Sequence, residues 1–263
     1  MRSEELRELS DLNYAEAMRE LARRCGGAVH DEGGVMVYAS AHPLPVLTNG
    51  AMRTGPEASP AEVIDRARAF FAPRGRGFSI IIRAHADEDL RLAAAAAGLT
   101  QFGEAPGMVL DHRLADAVAA AGVTLRRVAT LDDAVAFGVL MDSAYASLGM
   151  PGGVAPAQFA RLEALVAPHI VAFVAEIDGT AAAGAMTIVS HGVAGIYWVG
   201  TSPAARGRGL AELCTRAAGN AGFDLGARIA ALQASVMGDP IYRRMGYVEV
   251  TRYPTMVQFD APR

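Results

Sequence analysis

The stretch VGTSPAARGRGLA, residues 199–211, ends a strand-like run and opens a run of helical periodicity. Gly207 and Gly209 lack Cβ, so the backbone there can take positive φ and a phosphate can approach its N–H groups. The following helix points its unsatisfied N–H groups and the positive end of its dipole at the same place. Arg206 and Arg208 add bidentate donors. The stretch therefore predicts a diphosphate site, although an arginine-rich surface turn is the alternative for the loop taken alone.

The same tetrapeptide, Arg-Gly-Arg-Gly, also occurs at residues 74–77, but its surroundings are reversed. There it follows a predicted helix and precedes a predicted strand. Arginine at a helix C-terminus favours the negative end of the dipole, and glycine terminates the helix. The copy at 74–77 is therefore predicted to bind no phosphate.

Composition restricts the class of protein. The chain has 263 residues, 52% of them hydrophobic, and a net charge of −4, which argues against a broad nucleic-acid surface. The charged N-terminus has no apolar segment typical of a signal peptide, and no apolar run reaches the roughly 18 residues of a membrane span. We expect a soluble cytoplasmic protein with no nucleic-acid, membrane or metal partner; a homodimer is left open. The cysteines, Cys25 and Cys214, are predicted to be small buried groups.

Periodicity, the caps formed by Ser59 with Glu62 and by Thr130 with Asp133, and the hairpin turn signal at Asp178-Gly179 predict an α/β chain with two similar sets of elements. In the first set we expect helices at 10–25, 59–72 and 86–98 and strands at 27–31, 34–41, 44–53, 78–84 and 101–111. In the second set we expect helices at 131–147, 157–166, 209–222 and 239–246 and strands at 124–128, 169–177, 180–190, 193–201, 228–236 and 247–259. A connecting helix or linker is expected at 112–122.

The two sets overlay with an offset of 148 residues, which is the distance from Gly98 to Gly246. The same offset places PGMVL (106–110) on PTMVQ (254–258) and LTNGAMR (47–53) on GIYWVGT (195–201). One offset that matches three separate features predicts an internal repeat.

Two motifs of the second set resemble those of the GNAT superfamily of acyl-CoA-dependent N-acyltransferases. The first is Arg206-Gly207-Arg208-Gly209-Leu210-Ala211 at a helix start, and the second is Ile241-Tyr242-Arg243-Arg244-Met245-Gly246-Tyr247. The resemblance covers about residues 123–260. It implies an α/β fold with mixed, mostly antiparallel sheets flanked by helices, in which the fourth and fifth strands splay apart around acetyl-CoA.

The resemblance and the repeat together give a domain prediction. Residues 1–112 are expected to form a degenerate GNAT-like domain, 113–122 a linker, and 123–263 the catalytic domain. At the position that matches Arg206–Ala211 the first half has ASPAEV (58–63), without glycine and with Glu62. Ala94 matches Tyr242, so the first half is expected to have lost its cofactor chemistry.

The resemblance also implies the site residues. Those expected to bind acetyl-CoA are Trp198, Val199, Gly200, Thr201, Arg206, Gly207, Arg208, Gly209, Leu210, Ala211 and Ser235. Tyr242 is expected to protonate the leaving thiolate, and a backbone N–H, that of Val199, to bind the thioester oxygen. Ser235 stands where the family often has asparagine.

The general base stays open. The strand 193–201 has no carboxylate, which leaves Glu176, His191 or a water chain as alternatives. Asp142 and Tyr145 are candidates for the acceptor side, and the Gly/Pro-rich segment 147–156 is expected to form a lid. An acyl-Cys214 intermediate is discounted because nothing nearby in sequence activates the thiol.

We therefore expect an N-acetyltransferase in which a primary amine, on a small molecule or a peptide, attacks acetyl-CoA directly. The alternatives are a non-catalytic acyl-CoA-binding or regulatory protein and, more weakly, an arginine-rich anion binder.

Overall fold

The computed structural model describes residues 1–116 and 118–260, which divide into two compact units. Unit 1 comprises Met1–Ala17 and Met108–Val248, and unit 2 comprises Met18–Gly107 with the described residues from Glu249 onward. Each unit is discontinuous in sequence. Their boundaries therefore do not follow the predicted division at residues 1–112, 113–122 and 123–263.

The described chain contains both helices and strands, in two series that each include three consecutive strands, β1–β3 and β7–β9. The helices are α1 (Ser3–Arg24), α2 (Pro60–Phe71), α3 (Glu88–Ala96), α4 (Leu131–Ala146), α5 (Val154–Gln158), α6 (Leu210–Asp224) and α7 (Asp239–Arg244). The strands are β1 (Ala28–Glu32), β2 (Val35–Ala39), β3 (Asn49–Arg53), β4 (Phe78–Ile81), β5 (Thr100–Leu110), β6 (Val123–Arg127), β7 (Ile170–Ile177), β8 (Thr180–Ser190), β9 (Val193–Thr201), β10 (Ile229–Gln233) and β11 (Val248–Gln258).

Unit 1 has a mixed sheet in the order β5-β10-β9-β8-β7-β6, to which β5 contributes its last residues. The strands from β6 to β9 pair antiparallel, and β9 pairs in parallel with β10 through the crossover helix α6. Gly222 of α6 lies so close to Ala194 of β9 that an added Cβ would come within 2.2 Å of the alanine Cβ. Small residues on both sides thus allow α6 to pack tightly against β9.

Unit 2 repeats this arrangement with β1-β2-β3-β4-β11. The strands β1 to β3 pair antiparallel, β3 and β4 are parallel around the crossover helix α2, and β11 adds antiparallel to β4. The helix α2 begins with the predicted capping box, in which Ser59 and Glu62 exchange hydrogen bonds with each other's backbone N–H. The predicted fold class, α/β with mixed, mostly antiparallel sheets flanked by helices, is confirmed.

One predicted helix is wrong, and of the two alternatives for residues 112–122, helix or linker, the described residues form no helix. The segment predicted as a helix at 157–166 instead ends α5 at Gln158, passes through extended Arg161 and forms a 3₁₀ turn at Leu162–Ala164. Burial of Phe159, which packs edge-on against Phe137 at 5.1 Å, outweighs the helical periodicity there. The described residues within 112–122 form no helix, and Ala117 lies outside the described residues.

No helix in the described part of the chain is both long enough and apolar enough to cross a bilayer.

Candidate functional site

Unit 1 contains a cavity of about 330 Å³ whose walls come from α4, the end of β9, the start of α6, the loop after β10, and α7. Ten of the twelve residues predicted for the site line it: Val199, Gly200, Thr201, Arg206, Gly207, Gly209, Leu210, Ala211, Ser235 and Tyr242. Trp198 and Arg208 are not among the lining residues. The fold thus brings segments some 100 residues apart to one place.

The cavity begins where β9 and β10 separate. The two strands pair over only three residues, of which the last couple is Gly195 with Ala231. Since β9 continues to Thr201, its final residues extend beyond this pairing and expose strand edge to the cavity. Thr201 Oγ1 is buried there and has no hydrogen-bond partner among the described residues, so the wall offers an unused polar group to a ligand.

A β-bulge interrupts β9 beside the cavity. Gly184 of β8 pairs with Gly200 and Met186 pairs with Tyr197, so Trp198 and Val199 together face a single residue of β8. Trp198 has φ +50°, which is rare for a bulky side chain and marks a strained backbone. A bulge takes backbone groups out of the regular ladder, which makes an N–H of this stretch available to a ligand.

The loop before α6 has the conformation that its glycines permit. Gly207 and Gly209 have φ of +75° and +73°, and Gly209 is the N-cap of α6. A glycine has no side chain to cap the helix, so the first helical N–H groups, those of Leu210 and Ala211, have no side-chain acceptor at the N-cap. The open N-terminus of a 15-residue helix is a site for an anion.

The two arginines of this loop have different surroundings. Arg206 Nη2 donates to the Ala144 carbonyl at 3.2 Å and to Ser147 Oγ at 2.6 Å. Its guanidinium therefore holds the C-terminal end of α4, where the helix dipole favours a cation. Arg208 is exposed and does not line the cavity, whereas Arg244, which sequence patterns did not single out, does.

Tyr242 of α7 is 7% exposed and lines the cavity. Burial raises the pKa of its phenol to about 12, although the neighbouring Thr215 hydroxyl offsets part of this effect. Its ring lies against Gly238, where an added Cβ would come within 2.7 Å of the ring. Tyr242 is thus held in place and protonated at neutral pH.

The base candidates lie outside the cavity wall. Glu176 Oε1 accepts a hydrogen bond from Arg126 at 2.6 Å, and His191 is exposed in the turn between β8 and β9. Glu212 lines the cavity near the start of α6, but it forms an ion pair with Arg216 at 2.7 Å. No other residue described as lining the cavity carries a carboxylate.

Of the two residues predicted for the acceptor side, Tyr145 lines the cavity, together with the nearby Ala144 and Leu148. Asp142 instead accepts hydrogen bonds from the Gly153 N–H at 3.0–3.1 Å. The segment predicted to be a lid is therefore tied to α4 at Gly153. Ser235, also on the wall, accepts a hydrogen bond from Gly238 N–H at 3.1 Å and so orders the turn into α7.

Cys214 of α6 is fully buried in the core of unit 1. Burial raises the pKa of its thiol to about 12, which keeps it from acting as a thiolate nucleophile at neutral pH.

Unit 2 contains an ion-pair network at positions that the predicted 148-residue offset matches with cavity residues of unit 1. The 148-residue offset matches Thr201 and Ser235 with Arg53 and Asp87, and Arg53 Nε donates to Asp87 Oδ1 at 2.8 Å. Arg53 Nη2 also donates to Asp89 at 2.6 Å, and Arg83 Nε to Asp87 at 2.7 Å. Burial alone would raise the pKa of Asp87, which is fully buried, but hydrogen bonds from Arg83 and Arg53 outweigh burial and lower it.

Comparison with known proteins shows which family this architecture resembles. A family model described as an acetyltransferase (GNAT) domain matches residues 113–244, which is half of the chain. A search of curated proteins found no significant match.

Three solved structures show the same fold. A GCN5-related N-acetyltransferase from Kribbella flavida is 23% identical over 95% of each chain, with a TM-score of 0.71. A GCN5-related N-acetyltransferase from Sphaerobacter thermophilus is 16% identical over 89% of this chain and 83% of its own, with a TM-score of 0.61. A tandem GNAT protein from the clavulanic acid biosynthesis pathway is 16% identical over 90% of this chain and 80% of its own, with a TM-score of 0.59. With half of its length matched by the family model, the chain belongs to the GNAT acetyltransferase family.

Proposed function

We propose that the protein transfers an acetyl group from acetyl-CoA to a primary amine, on a small molecule or a peptide, in the cytoplasm. The observation that carries the proposal is the cavity of unit 1, which joins a glycine loop at an open helix N-terminus, a bulged strand edge and a buried protonated tyrosine. The glycine loop and helix N-terminus can bind the diphosphate of acetyl-CoA, and the strand edge and the tyrosine can supply the oxygen donor and the acid that acyl transfer from a thioester uses.

The cradle fits a diphosphate. Gly207 and Gly209 hold positive φ, and the uncapped N–H groups of Leu210 and Ala211 point out of the start of α6. Arg244 on the same wall adds a cation. We assign Arg206 to holding α4 rather than to the phosphates, because its guanidinium already donates to Ala144 and Ser147.

Acetyl-CoA, when bound, supplies an acyl group activated as a thioester. Val199 is one of the two bulge residues that together face a single residue of β8, and its N–H is our candidate donor to the thioester oxygen. The Tyr242 phenol holds the proton that the departing thiolate takes as the C–S bond breaks and the new C–N bond forms. The amine loses its own proton to water, because the wall offers no unpaired carboxylate.

Direct attack is favoured over an acyl-enzyme. The only cysteine near the site, Cys214, is buried with a raised pKa. The lack of an unpaired carboxylate also favours a second candidate function, a non-catalytic acyl-CoA-binding or regulatory protein.

We also propose that the first half of the chain is a degenerate GNAT-like repeat. The 148-residue offset places β5 on β11 with the same limits and α2 within two residues of the start of α6. The buried ion pair of Arg53 and Asp87 supports the loss of cofactor binding, because charged side chains occupy positions that border the cavity in unit 1.

Two measurements on the full chain test the main proposal. Trp198 is the only tryptophan and lies beside the cavity, so its fluorescence can report titration with acetyl-CoA. Release of free CoA in the presence of a panel of primary amines reports turnover. Binding with CoA release supports the acetyltransferase, binding without release on any amine supports the second candidate, and failure to bind acetyl-CoA refutes both.

A further inference from the structure

A single asparagine of the first helix reaches into the strand that carries the bulge. Asn13 of α1 is fully buried, and its Nδ2 donates to the Ile188 carbonyl at 3.0 Å, Ser190 Oγ at 2.8 Å and, at 3.3 Å, the Val193 carbonyl. Its Oδ1 accepts from the Tyr197 hydroxyl at 2.7 Å. The amide therefore links both arms of the β8–β9 hairpin to the side chain just before the bulge.

The close approach of Asn13 requires a glycine on the strand. An added Cβ at Gly195 would lie only 1.9 Å from Asn13 Oδ1 and 2.6 Å from the Tyr197 ring. Tyr14, the next residue of α1, stacks on Tyr197 with ring centroids 6.4 Å apart. Two consecutive residues of α1 thus engage the same tyrosine.

The bulge lies between two sets of contacts. In a regular strand, successive side chains point to opposite faces. Tyr197 is held by Asn13 and Tyr14 of α1, while Trp198 packs against Tyr145 at 5.3 Å and Phe159 at 5.1 Å. Because Trp198 has φ +50°, the strand takes up an extra residue between these contacts.

We propose that Asn13 is a positioning residue for the reaction: by holding Tyr197, it fixes the bulge and so aims the Val199 N–H at the thioester oxygen. Residues Met1–Ala17 precede the second half of the chain in sequence, but they then contribute to the site of unit 1. The inference rests on the proposed function for its catalytic consequence, whereas its structural consequence, the state of the bulge, is measurable without turnover.

The strained backbone of Trp198 explains why the hydrogen bond between Tyr197 and Asn13 is needed. A bulky residue in the left-handed region persists only where the surrounding structure over-determines it. Without the Tyr197–Asn13 hydrogen bond, the strand can relax toward a regular ladder, and the N–H would move by more than hydrogen-bond tolerance allows.

The test compares Tyr197→Phe and Asn13→Ala with a matched control, Asn220→Ala, in the full chain. Tyr197→Phe removes only the hydroxyl and keeps the stacked ring. Asn220 is also a buried asparagine of unit 1, but it joins α6 to Leu114 and Asp116. Each variant is measured for Trp198 emission, thermal stability, kcat, and the Kd of acetyl-CoA.

We expect Tyr197→Phe to shift the Trp198 emission and to lower kcat about tenfold while the Kd of acetyl-CoA stays within about twofold. Asn13→Ala should do the same to a greater extent, and Asn220→Ala should lower stability without either change. If Tyr197→Phe loses stability but keeps the wild-type emission and kcat, Asn13 only stabilises the fold and the inference is overturned. If the wild type shows no turnover on any amine, the proposed function fails, but an emission shift in Tyr197→Phe and its absence in Asn220→Ala still support the positioning role.

Discussion

At the residue scale, Tyr242 is the side chain whose chemistry is most directly testable. Tyr242→Phe keeps the ring against Gly238 and removes only the hydroxyl, and with it the proton that the reaction would use. We expect kcat to fall about 10²-fold, within the range of general acid catalysis, while the Kd of acetyl-CoA stays within about twofold. Steady-state kinetics and Trp198 titration measure the two constants.

The matched control is Tyr247→Phe. Tyr247 is also buried, and its ring lies 5.9 Å from that of Tyr242, but it does not line the cavity. Its hydroxyl should be dispensable for kcat. A Tyr242→Phe enzyme with wild-type kcat under conditions where chemistry limits the rate would remove Tyr242 from the reaction.

The raised pKa of Tyr242 also predicts the alkaline side of the pH profile. A general acid acts while it is protonated, and burial raises the pKa of this phenol to about 12. We therefore expect kcat to stay level from about pH 8 to pH 10, with no decline from this group. A decline near pH 9 that disappears in Tyr242→Phe would contradict the pKa assigned here.

The sequence predicted which residues belong to the candidate site, but it did not predict the contacts that these residues make. The identity of Tyr242 and the glycines at 207 and 209 followed from motifs, and all three line the cavity. The positive φ of Trp198 had no sequence signal, because it depends on contacts with Tyr145 and Phe159 from distant helices. The same holds for the hydrogen bond from Arg206 to the Ala144 carbonyl at the end of α4.

At the element scale, the two Arg-Gly-Arg-Gly segments allow a comparison of the same tetrapeptide before a helix and after a 3₁₀ turn. Gly209 and Gly75 both have positive φ, +73° and +59°, and an added Cβ would meet nothing within 4 Å at either. Alanine at either position should therefore cost a similar 1–2 kcal/mol or so of backbone strain. Only Gly209 precedes an open helix N-terminus, since Gly75 ends a 3₁₀ turn.

We accordingly expect Gly209→Ala to raise the Kd of acetyl-CoA at least tenfold and Gly75→Ala to leave it within about twofold. Both should lower the free energy of unfolding by similar amounts. Trp198 titration and urea denaturation measure the two quantities. Equal effects of the two substitutions on Kd would show that loop strain, and not the anion site, controls binding.

The start of α4 leads to a prediction about folding stability at acidic pH. Asp133 closes a capping box with Thr130 and also pairs with Arg126. Hydrogen bonds from the Ala129 and Thr130 N–H groups, helped by Arg126, lower its pKa to about 2 even though burial opposes this. A lowered folded pKa means that the stabilisation is present above the unfolded value, near 4, and is lost as the pH falls toward 2.

Asp133→Asn should therefore lower the free energy of unfolding by about 1 kcal/mol at pH 7, and the difference from wild type should shrink by pH 2.5. Urea denaturation at the two pH values measures it. A difference that stays constant with pH would mean that the carboxylate charge contributes nothing.

Element positions followed from local signals where those signals were strong. The capping boxes at Ser59 and Thr130 and the turn at Asp178-Gly179 marked α2, α4 and the β7–β8 hairpin. The predicted helix at 157–166 failed because burial of Phe159 depends on α4, which a local pattern does not contain.

At the scale of the whole molecule, the chain order does not determine which unit an element joins. Unit 1 takes Met1–Ala17, and β11 joins β4 in unit 2. The 148-residue offset was visible in sequence and matches β5 with β11, but the pairing of β11 with β4 joins strands far apart in sequence and carries no local signal.

The buried charges of unit 2 lead to a prediction about stoichiometry. If Arg53 and Asp87 occupy the counterpart of the cofactor site, titration of the full chain with acetyl-CoA by calorimetry should give one site per chain. Two sites per chain would refute the degenerate repeat.

Substitution of Arg53 separates its structural role from binding. Arg53→Met leaves Asp87 fully buried with only Arg83 as a partner, which should cost about 3 kcal/mol of unfolding free energy. Adding Asp87→Asn removes the charge of the buried carboxylate, which Arg53 no longer balances, and should recover part of this loss. Neither variant should gain a second acetyl-CoA site, because the segment Ala58–Val63 still has a capped helix start in place of the glycines. The stability loss with unchanged stoichiometry would identify the ion pair as a replacement for the lost site, whereas a second site in the double variant would show that the ion pair alone blocks it.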